Sequence, residues 1–327
     1  MEPLLKIENL TVEYHANQEI VHAVTDVNLE IKKGESLGLV GETGAGKTTT
    51  ALSILRLLPN RTAKILSGKT IFQDKNLQEL TEEEMRAVRG SGISMIFQDP
   101  MTSLNPVTTV GQQIYEVLYY HNYENKGRDE LNKRVNELME LVGIPAERQS
   151  EYPHQFSGGM KQRIGIAIAL ACEPALLIAD EPTTALDVTI QAQVLAQISE
   201  LRKKLHTSVL LITHDLGVVA KMCDNVAIMY AGEIIEYGNV YDIYKGSHHH
   251  PYTEGLFGSI PNLTDKMERL NAIPGLMPDP TRVVRGCCFF PRCPKCTQVC
   301  ALKKPEAVWN GTHMLRCHLY ADMREEG

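Results

Sequence analysis

The sequence predicts an α/β fold in which a mostly parallel sheet is covered by helices, broken by an all-helical insertion and followed by a small irregular C-terminal extension. Three observations predict it. Short apolar runs alternate with helical patterns from the start to about residue 245, as a parallel sheet with crossover helices requires. From about 104 to 156 helical spacing recurs with no strand between, and the apolar helix that follows carries this insertion to about 170. Past about 246 the periodicity fades, prolines cluster (IPGLMPDP, 273–280) and cysteines begin. The expected domains are therefore 1–245 and 246–327, in keeping with a length prior of about two domains.

Taken in order, LLKIENLTVEY (4–14) and AVTDVNLEI (23–31) read as strands, the second ending at the turn KKGE. SLGLVGETGAGKTTTALSILRLL (36–58) reads as an apolar strand, a glycine-rich turn and a helix. ISMIFQD (93–99) is another strand. VTTVGQQIYEVLYYH and ELNKRVNELMELVG carry the helical spacing of the insertion. Strand signals return at ALLIAD (175–180), SVLLIT (208–213) and NVAIMY (225–230). The chain shows no internal repeat.

Composition narrows the function. A net charge of −7 argues against a nucleic-acid binder, which presents a basic face or arm. No run of roughly eighteen apolar residues occurs; IGIAIALAC (164–172) is about half that length and reads as a buried helix. MEPLLKIENL lacks a basic flank before an apolar core, so no signal peptide is expected. A cytoplasmic setting follows, where cysteines are reduced or metal-bound rather than paired as disulfides.

The chemistry begins at Gly41-x-x-x-x-Gly46-Lys47-Thr48, between a predicted strand and helix. Glycines let the backbone curl so that N–H groups and the helix N-terminus face phosphate oxygens. Lys47 would neutralise the β- and γ-phosphates, and Thr48 would offer its hydroxyl to Mg²⁺. LLIADE (176–181) is apolar and ends in two acids, as at the tip of a buried parallel strand. Asp180 can hold Mg²⁺ through water there, and Glu181 is placed to polarise an attacking water. In Phe156-Ser157-Gly158-Gly159-Met160-Lys161-Gln162, Ser157 reads as an N-cap, and the glycines leave the helix start open to an anion.

Walker A (GETGAGKT), FQD, FSGGMKQR, LLIADEP, TALD and ITHD occur in this order, and over roughly residues 4–245 the chain resembles an ATP-binding-cassette (ABC) ATPase. The resemblance implies a P-loop NTPase core of the ABC type with an antiparallel β subdomain. It also implies two cassettes facing head to tail, so that Ser157, Gly158 and Gly159 bind the γ-phosphate of a nucleotide held by the partner. Phosphate contacts would come from Gly41, Thr43, Gly44, Ala45, Gly46, Lys47, Thr48 and Thr49. Gln98 resembles the glutamine that senses Mg²⁺ and the attacking water, and His214 the histidine that contacts the γ-phosphate. Asp187 would couple the two sites, and Tyr14 would stack on adenine. Phe156 and Met160 depart slightly from the usual LSGGQ signature.

FSGGMKQR, FQDPMTSLNP and HPYTEGLFGSIP (250–261) further resemble ATPase subunits of dipeptide, oligopeptide and nickel importers, the D-type subunit of a dipeptide importer most of all. Those subunits imply ATP hydrolysis coupled to uptake, a second cassette (a paralogue), two transmembrane permease subunits and an extracytoplasmic peptide-binding protein. The place would be the cytoplasmic face of a bacterial membrane. Within GCCFFPRC…C…RCHLY, the residues matching the family pattern are Cys287, Cys293, Cys300 and Cys317, with five, six and sixteen residues between them. In relatives that have all four they resemble [4Fe–4S] ligands. Zinc remains an alternative, since Cys293-Pro-Lys-Cys296 has knuckle spacing; Cys288 and Cys296 are extra to the pattern. Cys172 and Cys223 read as core residues, and His248-His249-His250 as a solvated loop. Three rival functions stand beside peptide import: an ABC ATPase of iron–sulfur assembly, a nickel-complex importer ATPase, and a redox-sensing module with a merely structural nucleotide site.

Overall fold

The strands form where the sequence supplies either alternation or an unbroken apolar run. In chain order they are β1 (Pro3–Ala16), β2 (Glu19–Lys32), β3 (Ser36–Val40), β4 (Ala63–Phe72), β5 (Lys75–Asn76), β6 (Ile93–Ile96), β7 (Leu176–Asp180), β8 (Ser208–Thr213), β9 (Asn225–Tyr230), β10 (Glu233–Asn239), β11 (Val308–Asn310) and β12 (His313–Leu315). The structure is a computed structural model and describes residues 2–16, 18–99, 103–122, 124–184, 187–259 and 273–321. Parts of three quoted motifs lie outside these residues: 100–102 of FQDPMTSLNP, 185–186 of TALD and 260–261 of HPYTEGLFGSIP.

The chain divides into two compact units that interleave along the sequence. One comprises Leu5–Glu30, Leu37–Gln78 and Thr213–Gly327; the other comprises Met1–Leu4, Ile31–Ser36 and Glu79–Ile212. We call them the loop unit and the acidic-strand unit.

In the loop unit, β2-β1-β4-β5 make an antiparallel sheet. Its inner face is built by Leu5, Ile7, Leu10, Val12, Val24 and Val27, all buried. Between Glu8 and Thr11 the β1–β4 register shifts. Opposite that shift Gly68 has φ +103°, and a Cβ there would lie 2.6 Å from Leu10 Cα, so only glycine lets the strands cross. The second set of strands runs β11-β12-β10-β9-β3. β3, SLGLV, is buried at every position and pairs parallel with β9, the continuous burial that a parallel strand covered on both faces shows. β9–β10, β10–β12 and β11–β12 are antiparallel.

In the acidic-strand unit β8, β7 and β6 are parallel neighbours; β7 and β8 are buried throughout. Among the described residues from 103 to 170 there is no strand. This stretch holds helices Val110–Tyr120, Arg128–Leu141 and Gly158–Leu170, with two short 3₁₀ turns.

Two features depart from expectation. β4 and β10 were not legible as strands, and the sheet is mixed rather than mostly parallel at the loop unit's outer edge. The extension is not wholly irregular either: Gly311-Thr312 closes a hairpin whose strands β11 and β12 continue the β10 edge. Gly311 has φ +59°, as a two-residue hairpin turn demands. No helix among the described residues is long and apolar enough to cross a membrane.

Candidate functional site

The phosphate loop follows directly from β3, and its curl is sterically fixed. A Cβ at Gly41 would collide with the Met229 carbonyl, and one at Gly46 with the Ala23 carbonyl. Gly44 and Gly46 have φ +84° and +103°, a region that favours glycine. Gly46 is also the N-cap of helix Lys47–Ile54. Lys47 is buried, and its Nζ donates to the carbonyls of Gly41 (2.8 Å) and Glu42 (3.0 Å), which holds the ammonium inside the curl. Ala45 is buried, while Thr43, Gly44 and Thr48 are exposed. Tyr14, at the end of β1, sits with its hydroxyl 3.3 Å from Thr49 Oγ1, so these two predicted nucleotide contacts meet at the first turn of the helix.

An anchor that sequence reasoning missed holds the loop from the extension. Arg292, between Cys288 and Cys293, is 8% exposed. Its Nη1 and Nη2 donate to the two oxygens of Glu42, the second residue of the loop, at 2.8 and 3.1 Å. The same guanidinium donates to Tyr230 Oη and to the carbonyls of Ile273 and Pro274; the Glu42 carboxylate, with Tyr230 behind it, pushes it above the ordinary arginine range. Glu42 N donates to Tyr252 Oη at 3.0 Å. Below them Phe289 packs on Tyr230 and Tyr252 with ring centroids at 5.2 and 5.5 Å. The only sequence signal was an arginine in a cysteine-rich segment. A cavity of about 500 Å³ opens beside the loop, with Thr43 and Gly44 on one wall and Asp279, Arg282, Cys288 and Lys304 among its other lining residues.

In the acidic-strand unit, Asp180 is buried at the tip of β7. Glu181 follows with φ +44°, the left-handed region where a non-glycine residue marks local strain. Its N–H donates to Ile212 O (2.9 Å). Its Oε2 accepts from Gln98 Nε2 and from Thr184 Oγ1, each at 2.9 Å. Two predicted residues, Gln98 and Glu181, are thus in direct contact, and Thr184 is a partner that the sequence did not flag.

Ser157 caps helix Gly158–Leu170, its hydroxyl accepting from Met160 N, and it is exposed with Gly158 and Gly159 half-buried beside it. Arg148 lies over the Phe156 ring at 4.3 Å and pairs with Glu151 through three short hydrogen bonds, bracing the segment that leads into the cap. Asp187 also turns out to be an N-cap, accepting from Ile190 N at 3.0 Å. His214 lies in the loop unit and is exposed.

In the extension Cys287, Cys288, Cys300 and Cys317 are buried, Cys293 is half-buried and Cys296 exposed. Cys287 N donates to Cys300 O at 2.8 Å. The Cys288 thiol and His250 beside it hold the Cys287 thiol below the usual range. Cys288 is pushed up by the Cys287 contact and by burial. Burial also raises Cys293, and takes Cys317 to about 11. Cys223 is buried and Cys172 half-buried.

The histidine run is not a solvated loop. His250 is 1% exposed and caps helix Pro251–Gly258, its Nδ1 accepting from Tyr252 N. His249 bonds the buried Glu236; His248 alone is exposed. Apolar contacts with Phe257 and Phe289 drew the two rings inward.

Comparison with known proteins gives two family matches: "ABC transporter" over residues 24–184 and "Oligopeptide/dipeptide transporter, C-terminal region" over 235–300. Oligopeptide transport ATP-binding protein AppD of Bacillus subtilis is 48% identical, covering 100% of this chain and 99% of that protein. Dipeptide transport ATP-binding protein DppD of the same organism is 48% identical, covering 100% and 97%. Among solved structures, a dimeric ATP-binding cassette in a post-hydrolysis state with ADP and Pi bound superposes with TM-score 0.65 at 28% identity, over 72% of this chain and 98% of that one. cbiO1 of Clostridium perfringens, part of the ABC transporter complex cbiONQ, gives 0.64 at 30% identity, over 75% and 91%.

Proposed function

The chain belongs to the ABC transporter family as an ATP-binding subunit of the oligopeptide/dipeptide branch, and we propose how its residues turn ATP hydrolysis into peptide uptake. Lys47 neutralises the β- and γ-phosphates while N–H groups of the loop from Gly41 to Thr49 cradle them. Tyr14 stacks on adenine and Thr49 reaches the α-phosphate. Thr48, Asp180 and Gln98 supply hard oxygen donors, the set that suits Mg²⁺; bound there, it would offset charge on the β- and γ-oxygens.

The observation that carries the chemistry is the Glu181 carboxylate held at 2.9 Å by both Gln98 and Thr184. Fixed at the tip of a buried strand, it accepts the proton of the attacking water. The water oxygen bonds to the γ-phosphorus, the bond to the β–γ bridging oxygen breaks, and ADP and Pi leave. His214 contacts the γ-phosphate. Ser157, Gly158 and Gly159, exposed or half-buried at an open helix start, bind the γ-phosphate of a nucleotide held by a second cassette, which we take to be a paralogue. Asp187 couples the two sites.

The remaining assignments rest on the same family membership. The helical segment from about 104 to 170 is the insertion that receives a coupling element from two membrane-spanning permease subunits on the cytoplasmic face. An extracytoplasmic protein delivers the peptide, and the functional boundary lies near residue 245. The match over 235–300 favours this reading over iron–sulfur assembly. Cys287, Cys293, Cys300 and Cys317 would hold a [4Fe–4S] cluster. Three of the four are buried. Bound there, it would cross-link a segment poor in regular structure.

The test is reconstitution with permeases and second cassette in proteoliposomes. Peptide-loaded binding protein should stimulate ATP turnover several-fold, and Glu181→Gln should abolish it. Turnover indifferent to peptide would sink the proposal. Anaerobic purification tests the cluster separately: about four irons per chain and a dithionite-bleachable brown colour support it, whereas a colourless protein with one zinc overturns it.

A further inference from the structure

We propose that Glu236, His249 and His313 form a binding site for a divalent first-row transition-metal ion, zinc foremost, separate from the cysteines. Three segments of the loop unit converge there. Glu236 lies on β10, opposite Leu315 of β12; His313 opens β12; His249 comes from the connection after helix Val240–Lys245. Their ligand atoms all lie within 4.8 Å of one another.

Glu236 is fully buried. Its Oε1 faces His249 Nδ1 and His313 Nε2, each at 2.9 Å, and its Oε2 accepts from His250 N at 2.8 Å. One oxygen is thus satisfied by a backbone N–H, and the other is turned to both rings. Both rings are nearly sequestered, at 14% and 12% exposure.

The decisive contact is on the far side of His249. Its Nε2 lies 2.9 Å from Gly246 O. A carbonyl only accepts, so Nε2 carries a hydrogen. In a neutral ring Nδ1 is then a lone pair pointing at a carboxylate, which also only accepts. That approach is attractive only with a proton or a cation between the two atoms. A metal ion fits the second option: imidazole and carboxylate donors at about 2.0–2.2 Å from zinc stand roughly 3–3.5 Å apart, close to the spacing already present. A backbone carbonyl holding the other N–H is the usual outer-shell support of a ligating histidine. Three protein ligands leave a fourth position for water. The segments are braced independently: Thr312 Oγ1 donates to Asp242 Oδ2 (2.7 Å) and Tyr320 Oη to His249 O (2.9 Å). An ion here would tie the C-terminal hairpin to the strand it extends.

Thiols also take zinc, so the test must identify the ligand. Zinc is titrated into the full-length protein and read by metal analysis and X-ray absorption. The expected result is one ion per chain with a nitrogen/oxygen-only shell near 2.0–2.1 Å, distinct from sulfur-bound metal near 2.3 Å. His249→Gln and His313→Gln should each weaken that ion's binding by about 100-fold or more, beyond what outer-shell losses cost, and leave sulfur-bound metal unchanged. A sulfur shell alone in the unsubstituted protein overturns the proposal, whether or not the variants fold. So does a nitrogen/oxygen ion that survives both substitutions.

Discussion

The phosphate loop and the tip of the acidic strand are built in opposite ways. The loop is fixed from every side: two glycines admit no Cβ, Lys47 is locked on two carbonyls, and Glu42 is gripped by Arg292 and Tyr252. The strand tip is fixed by its own neighbours but open to solvent. Glu181 bonds Ile212, Gln98 and Thr184, and Gln98, Ser157 and Asp187 are exposed. A binding element gains from being preformed, since ordering it on binding would cost affinity. A catalytic element that must meet a second cassette gains from being open.

Substitutions can break or sharpen this contrast. The largest effect is expected at Gly46→Ala, which adds both a collision and an unfavourable φ. Nucleotide affinity should fall by about two orders of magnitude or more, with the circular dichroism spectrum kept; unchanged affinity would mean that the loop is pliable after all. Glu181→Gln should lower turnover about 10²–10⁴-fold while ATP affinity, measured by fluorescent-nucleotide titration, stays within about threefold. Arg292→Met leaves Glu42 without its guanidinium and should weaken ATP binding about tenfold, in line with a charged hydrogen bond worth roughly 1.5–3 kcal/mol. Arg292→Lys should recover only part, because one ammonium cannot replace the planar fork that pairs Glu42 while also reaching Tyr230 and two carbonyls. Asp187→Ala removes an N-cap and should cost about 1 kcal/mol in urea unfolding, with Asp187→Asn close to neutral.

The smallest effect is a pH slope at His121. Burial lowers its pKa, so the unfolded chain binds this proton more readily than the folded one. Stability is therefore intact above about pH 6.5 and declines as pH falls through the unfolded value. His121→Gln should flatten that slope, and an unchanged slope would place its origin elsewhere.

Most of the site was legible because its chemistry is local. A turn that needs glycines, a lysine one residue past them and two acids after an apolar run must be contiguous, and so they appear as motifs. The contact between Gln98 and Glu181 joins residues 83 apart and was reachable only by resemblance. Arg292 and Glu42 are 250 apart; nothing in either neighbourhood announces the other. β4 and β10 escaped notice because glycine and charged residues interrupt their alternation, as in AKILSGKTIF. The histidine run misled for a related reason: local polarity suggested solvent, whereas a distant carboxylate and two phenylalanines drew His249 and His250 inward. The hairpin turn at Gly311-Thr312 was signalled by a single glycine, and the surrounding prolines and cysteines obscured it.

The ion pair between Arg292 and Glu42 also bears on how such subunits can be recombined. A chimera that kept this cassette but took a C-terminal segment without the arginine would inherit a glutamate in its most conformationally exacting turn with no counter-ion. Trimming the chain near residue 245 to obtain a smaller ATPase would do the same. For protein engineering the smallest transplantable module is the cassette together with its own extension.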